Sequence, residues 1–154
     1  MDEIIEIAIN ELNNYLKESN WYGRENEVVN LFAHLFLSKY VGRNNFTSIS
    51  QIGIEVAVKQ LPSLSGKKLV RKDLVIWGQE RQTVWDNNHE SVNDPIAVLE
   101  WKVNSISKCD GDIEWLKKFT KSYPKVIGYS ICAFINNKRG VSFKKIKNGE
   151  IVTG

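Results

Sequence analysis

The chain has 154 residues and a mass of 17.7 kDa, with 21 basic and 18 acidic side chains and a formal net charge of +3. That length points to one domain, and 42% hydrophobic with 25% charged residues provides for a packed core and excludes a disordered or fibrous chain. No apolar run approaches the ~20 residues of a membrane span and no signal peptide is recognisable, so a cytoplasmic protein without membrane contact is expected. The two cysteines, Cys109 and Cys132, are too few and too widely spaced in sequence for a zinc knuckle or a disulfide framework, so reduced thiols are expected. With His34 and His89 as the only histidines, histidine metal centres and Ser-His-Asp triads lose most of their ground. Any chemistry must rest on carboxylates and lysines, and where those charges sit matters more than their sum.

From the N-terminus, Asp2 to Lys17 places Ile5, Ala8, Ile9, Leu12 and Leu16 at helical spacing. After a break at Ser19 to Gly23, Arg24 to Tyr40 puts Val28, Leu31, Phe32, Leu35 and Phe36 on one face, with Gly42 at the stop, which predicts a second helix. The period then changes. Ile52, Ile54, Val56 and Val58 alternate with Gly53, Glu55, Ala57 and Lys59 as in a half-buried strand. Pro62 to Gly66 make a turn, Leu69 to Trp77 reads as a second strand and Pro95 to Val103 as a third with two apolar faces. The long polar connection Gly78 to Asp94 is either functional or carries a short strand at Gln82 to Trp85. Gly111 to Ser122 is helical in pattern and ends at Tyr123-Pro124; Val126 to Ile135 is a fourth strand. Gly140 to Ile146 and Glu150 to Val152 flank Asn148-Gly149, a two-residue hairpin signal. The expected fold is α/β, a mostly antiparallel and then mixed sheet with helices packed on it.

Two places break this pattern. Asp73 enters the most apolar part of Leu69-Val-Arg-Lys-Asp-Leu-Val-Ile-Trp77, and Glu100 with Lys102 ends the apolar run Pro95-Ile-Ala-Val-Leu-Glu-Trp-Lys-Val103. Residues two apart on a strand share a face, so Glu100 and Lys102 project together and Trp101 projects oppositely. If the two strands pair, Asp73 and Glu100 are close enough to repel, and either one takes a proton or a cation neutralises both. Mg²⁺, a hard cation with oxygen ligands, suits such a site, and Lys102 stands ready to orient a water or stabilise charge on a phosphate. A lone Glu-x-Lys is commonly a solvated ion pair. Of the 18 carboxylates, however, only Glu100 has a basic residue two positions later, and it directly follows Ile96-Ala-Val-Leu99.

An acidic residue in a helix, an Asp on one strand, Glu-x-Lys on the next and then a helix and a strand resembles the layout of the PD-(D/E)XK nuclease superfamily. The resemblance covers Arg24 to Ile135 and implies a restriction-endonuclease-like αβββαβ core, a central mixed sheet flanked by helices, with an extra N-terminal helix and a C-terminal β-hairpin. It implies Asp73 as the motif aspartate on the metal, Glu100 as second carboxylate ligand, the Trp101 backbone carbonyl as a further ligand and Lys102 as catalytic lysine. Glu27 would be the helical acid, with Glu25 as the weaker candidate. The cofactor implied is Mg²⁺, with Mn²⁺ able to replace it, and the reaction is phosphodiester hydrolysis by a metal-activated water. Lys72 rather than Pro precedes Asp73, and no Gln-x-x-x-Tyr follows Lys102, which argues against the helicase-attached exonuclease branch. Asp112 reads most simply as an N-terminal helix charge.

The partner this implies is nucleic acid, above all DNA, and cutting both strands of a duplex would require a homodimer. Lys67, Lys68, Arg71 and Lys72 cluster before Asp73 as candidate phosphate contacts. Lys117, with Lys118, Lys121 and Lys125, forms a second basic group. Lys144 and Lys145, with Lys138, Arg139 and Lys147, form a third that is either a DNA-binding β-ribbon or a charged edge strand. Trp77, Trp101 and Trp115 are expected in the core, while Trp21 and Trp85 in loops are open to stacking on bases or to sealing a dimer. His34 is expected to be packed or at the surface, and His89 could approach the substrate from the long connection. The competing expectation is a catalytically silent module on the same fold that binds nucleic acid or another protein.

Overall fold

A computed structural model describes residues 1–152. Helix α1 (Asp2–Glu18) buries Ile5, Ala8, Ile9, Leu12 and Leu16, the stripe that its spacing predicts. Helix α2 (Glu25–Leu31) is shorter than expected: its backbone widens into a π turn over Phe32–Phe36 and tightens into a 3₁₀ turn over Leu37–Tyr40. The extra residue of the π turn rotates the residues after it about the helix axis. Phe32, Ala33, Phe36 and Leu37 are therefore buried, while Leu35, expected on the apolar face, is 42% exposed.

Six strands form one mixed sheet in sequence order: β1 (Ile52–Lys59), β2 (Leu69–Ile76), β3 (Ala97–Val103), β4 (Ile127–Phe134), β5 (Gly140–Lys147) and β6 (Glu150–Val152). All neighbours are antiparallel except β3 and β4, which run parallel and are joined by helix α3 (Ile106–Ser122). A parallel pair requires such a crossover. The Asn148-Gly149 turn has both residues at positive φ, 50° and 84°, as the tight hairpin requires. In the long connection the expected strand at Gln82 to Trp85 is reduced to an isolated bridge between Trp85 and Ser91. Helix α3 begins at Ile106 rather than Gly111, and Gly111 is an exposed residue of its interior. The fold is thus α/β, a six-stranded mixed sheet flanked by helices.

One apolar cluster joins α1, α2 and the π turn to one face of the sheet; a second lies between α3 and the other face. Strand β1 changes face part-way. Ile52 and Ile54 pack on the first cluster, Val56 and Val58 in the second, although strict alternation would keep all four together. The switch falls at Glu55, a non-glycine residue with φ of 53° inside a strand. On β2, Val70 likewise packs with the second cluster and Leu74 and Ile76 with the first, and Asp73 lies between them. The buckle of β1 therefore sits opposite Asp73, since Ile54 pairs with Leu74 and Val56 with Lys72. Among the described residues, no helix is long and apolar enough to cross a membrane.

Cys109 of α3 and Cys132 of β4 are joined as a disulfide with Cα atoms 6.3 Å apart, in place of the two reduced thiols expected. Their separation of 23 residues is misleading because the β3–α3–β4 crossover lays α3 back along β4.

Candidate functional site

Strands β2 and β3 pair only from Leu74–Leu99 to Ile76–Ala97. Beyond that point side chains take over from the backbone ladder. The Trp101 N–H donates to Asp73 Oδ2 at 2.8 Å, and the Asp73 N–H lies 3.3 Å from Glu100 Oε2. Each carboxylate thus holds an amide of the other's strand, and the juxtaposition of Asp73 and Glu100 expected from the sequence is present. Glu100 is 6% exposed. Burial raises its pKa to about 7, with the nearby Asp73 and Asp112 charges adding to the rise and Lys72 opposing it.

Lys102 projects with Glu100 from β3. Its Nζ donates to the Trp101 carbonyl at 2.7 Å and lies 3.4 Å from both Glu25 Oε1 and Asp112 Oδ2. Burial alone would lower the pKa of this ammonium, but the carboxylates of Asp112, Asp73 and Glu25 outweigh it and push it up. Lys102 is therefore a fixed positive charge rather than a base. Glu25 and Asp112 are both raised by burial, partly offset by Lys102. Asp112 Oδ2 is buried and has only this long ionic contact, with no hydrogen bond of good geometry.

Several expected roles change. The helical acid facing the site is Glu25. Glu27 instead accepts from the Arg24 N–H at 2.6 Å and caps α2. Because α3 starts five residues early, Asp112 lies in its second turn, aimed at Lys102, and does not serve the helix N-terminus. Lys72 is buried; its Nζ bonds Glu100 Oε1 and lies 3.4 Å from the centre of the Trp115 ring, so it does not face a nucleic-acid backbone. The missed signal is the face switch at Glu55, which turns Lys72 inward and which simple alternation does not contain.

A cleft of about 440 Å³ opens beside Asp73, lined by Arg24, Glu25, Asn26, Asn30 and Glu55 among others. Of the basic candidates, Lys67, Lys68, Arg71 and Lys144 are exposed, and Lys117 is half-buried beside Glu114 at 3.6 Å. Lys145 is committed to Glu6 at 2.7 Å and Asp2 at 3.1 Å, and Lys147 to Asp2 at 2.9 Å, so this part of the hairpin holds α1. Arg139 similarly donates to the carbonyls of Leu16 at 2.7 Å and Trp21 at 2.5 Å. Trp77 and Trp101 are core residues, Trp115 stacks on Phe119, and Trp21 packs against the first cluster. Trp85 is 48% exposed; His34 and His89 are both exposed.

Among the described residues, no group of three or more His, Cys, Asp or Glu side chains stands ready as a metal cage. The carboxylates are instead separated by ammoniums, Lys72 on Glu100 and Lys102 between Glu25 and Asp112. Four carboxylates, Glu25, Asp73, Glu100 and Asp112, outnumber two ammoniums in this partly buried site, and burial raises the pKa of Glu25, Glu100 and Asp112 so that part of the surplus is carried as protons. The two carboxylates brought together, Asp73 and Glu100, offer oxygen donors of the kind a hard divalent cation takes. Comparison with family models, with curated proteins and with solved structures gives no match.

Proposed function

We propose that the chain is a divalent-cation-dependent nuclease of restriction-endonuclease-like topology, acting on DNA. The observation that carries this reading is the interlock of Asp73 and Glu100 at the splayed ends of β2 and β3, with Lys102 fixed beside them. The order α2, β1, β2, β3, α3, β4 agrees with the αβββαβ core that the resemblance implies. Asp73 and Glu100 would hold Mg²⁺ or Mn²⁺ together with the Trp101 carbonyl. When bound, the cation would activate water and stabilise charge on the phosphate. Lys102, kept charged by three carboxylates, orients the attacking water and offsets negative charge as it grows on the phosphate oxygens. Glu25 and Asp112 keep that ammonium in place. The cleft wall is itself acidic through Glu25, Glu55 and Asp73, so a phosphate backbone would approach only a cation-loaded site.

The competing reading is a non-cleaving, nucleic-acid-binding module; the Lys72 ammonium seated on Glu100 is the observation in its favour. Incubation of purified protein with supercoiled, linear, branched and single-stranded DNA and with RNA, in Mg²⁺, Mn²⁺ or EDTA, separates the two. Cleavage that needs the cation and disappears in Lys102→Met supports the nuclease. Cation-independent binding without cleavage of any substrate supports the module.

A further inference from the structure

Lys72 is the most unusual group near the site. A lysine is seldom fully buried without a partner; this one has its side chain 9% exposed, its Nζ on Glu100 Oε1 and the Trp115 ring 3.4 Å away. The other Glu100 oxygen takes the Asp73 N–H at 3.3 Å. Each oxygen of Glu100 thus carries one donor and keeps a further lone pair, but a divalent cation on Glu100 would lie beside the Lys72 ammonium, and the two positive charges repel. The amide cannot leave without separating β2 from β3, since Leu74 and Leu99 pair immediately beyond it. The flexible lysine can. Lys102 is not an alternative occupant, being held by Glu25, Asp112 and the Trp101 carbonyl.

We propose that Lys72 is a built-in competitor for the divalent cation: its ammonium holds Glu100 in the cation-free protein and must move off Glu100 for the cation to load. The inference rests on the cation-binding part of the function proposed above, and it goes further in assigning Lys72 the control of cation affinity. Trp115 is the face along which the ammonium rests, so its departure alters the surroundings of that indole.

The test is calorimetric titration of the metal-free protein with Mn²⁺ and Mg²⁺, in parallel with cleavage assays, for wild type, Lys72→Met, Lys72→Gln and Lys72→Arg. The expected result is cation binding about tenfold tighter in Lys72→Met and Lys72→Gln and unchanged in Lys72→Arg, which keeps the charge. Mg²⁺ should also change the fluorescence of the wild-type protein, a change markedly smaller in Trp115→Phe, a readout that requires no Lys72 variant to fold. Unchanged or weaker binding in the neutral variants, or a Mg²⁺-induced fluorescence change undiminished in Trp115→Phe, overturns the proposal. If wild type cleaves DNA with Mg²⁺ but the neutral variants bind it no more tightly, the competitor role falls and the nuclease stands. If the neutral variants bind more tightly but no protein cleaves, the competitor role stands and the nuclease falls. No cation binding by any of the proteins overturns both.

Discussion

Asp73 Oδ2 accepts the backbone N–H of Trp101 at 2.8 Å, a bond that closes the gap where β2 and β3 stop pairing. One carboxylate thereby both ties two strands together and faces the cleft. The two roles are separable by substitution. Asp73→Asn retains a carbonyl oxygen for the Trp101 amide but loses the charge, so it should unfold in urea within about 1 kcal/mol of wild type while losing at least ~100-fold in Mg²⁺-dependent cleavage. Asp73→Ala should lose the activity and in addition about 1.5–3 kcal/mol of stability, the usual cost of removing a hydrogen bond to a charged group. Wild-type cleavage rates in Asp73→Asn would remove Asp73 from the chemistry.

Glu25 and Glu27 differ by two positions and should behave oppositely. Glu25 lies 3.4 Å from the Lys102 ammonium, whereas Glu27 caps α2 through the Arg24 N–H. Glu25→Gln should lower cleavage by about 10–100-fold, the range for a residue that orients a catalytic group, with little change in melting temperature. Glu27→Ala should instead cost about 1 kcal/mol of stability and leave kcat near wild type. Comparing kcat with thermal unfolding for both variants decides the assignment, and a reversal of the two profiles would restore Glu27 as the helical acid.

How far the sequence reaches is visible in these residues. Period-2 alternation places Glu100 and Lys102 on one face, and their burial against α3 and α2 follows from the apolar run before them. The six strands and the Asn148-Gly149 turn are legible for the same reason: their signals are local. Glu25 is hidden because the choice depends on which acid becomes the cap. Lys72 is hidden because one positive φ at Glu55 changes the face of the strands, and no residue type announces that buckle. The early start of α3 escapes notice because Gly111 and the polar residues before it resemble a loop, yet Cys109 is buried there and tied to β4.

The Cys109–Cys132 bond carries its own prediction. It closes a 23-residue separation that spans the part of α3 bearing Asp112 and the first residues of strand β4. Loop-closure entropy assigns a link of this length about 3 kcal/mol. Dithiothreitol, or the Cys109→Ser/Cys132→Ser double variant, should therefore lower stability by about that amount in chemical denaturation. Mass spectrometry after alkylation under non-reducing conditions checks the bond directly: two alkylated thiols in the native protein would refute it.

The ion cluster that holds α1 to β5 makes stability depend on acid in a defined direction. Lys147 and Lys145, beside Asp2, hold its carboxyl well below the ordinary value of 3.8, despite some opposing desolvation. A folded-state value below the unfolded one means that the ionised form is favoured by folding, so its contribution is fully present above pH 3.8 and is lost as the pH falls below it. Asp2 is partly exposed, with 35% of its side chain in solvent, and screening limits that contribution to about 1 kcal/mol or less. Asp2→Asn should accordingly be less stable than wild type at pH 7, and the gap should close as both are titrated below about pH 4. It should also narrow in high salt at neutral pH, as expected for an exposed pair. Urea unfolding of both proteins across that pH range is the measurement, and a gap that stays constant down to pH 2 (about two units below the ordinary carboxyl value) would show that Asp2 acts on α1 by some means other than its charge.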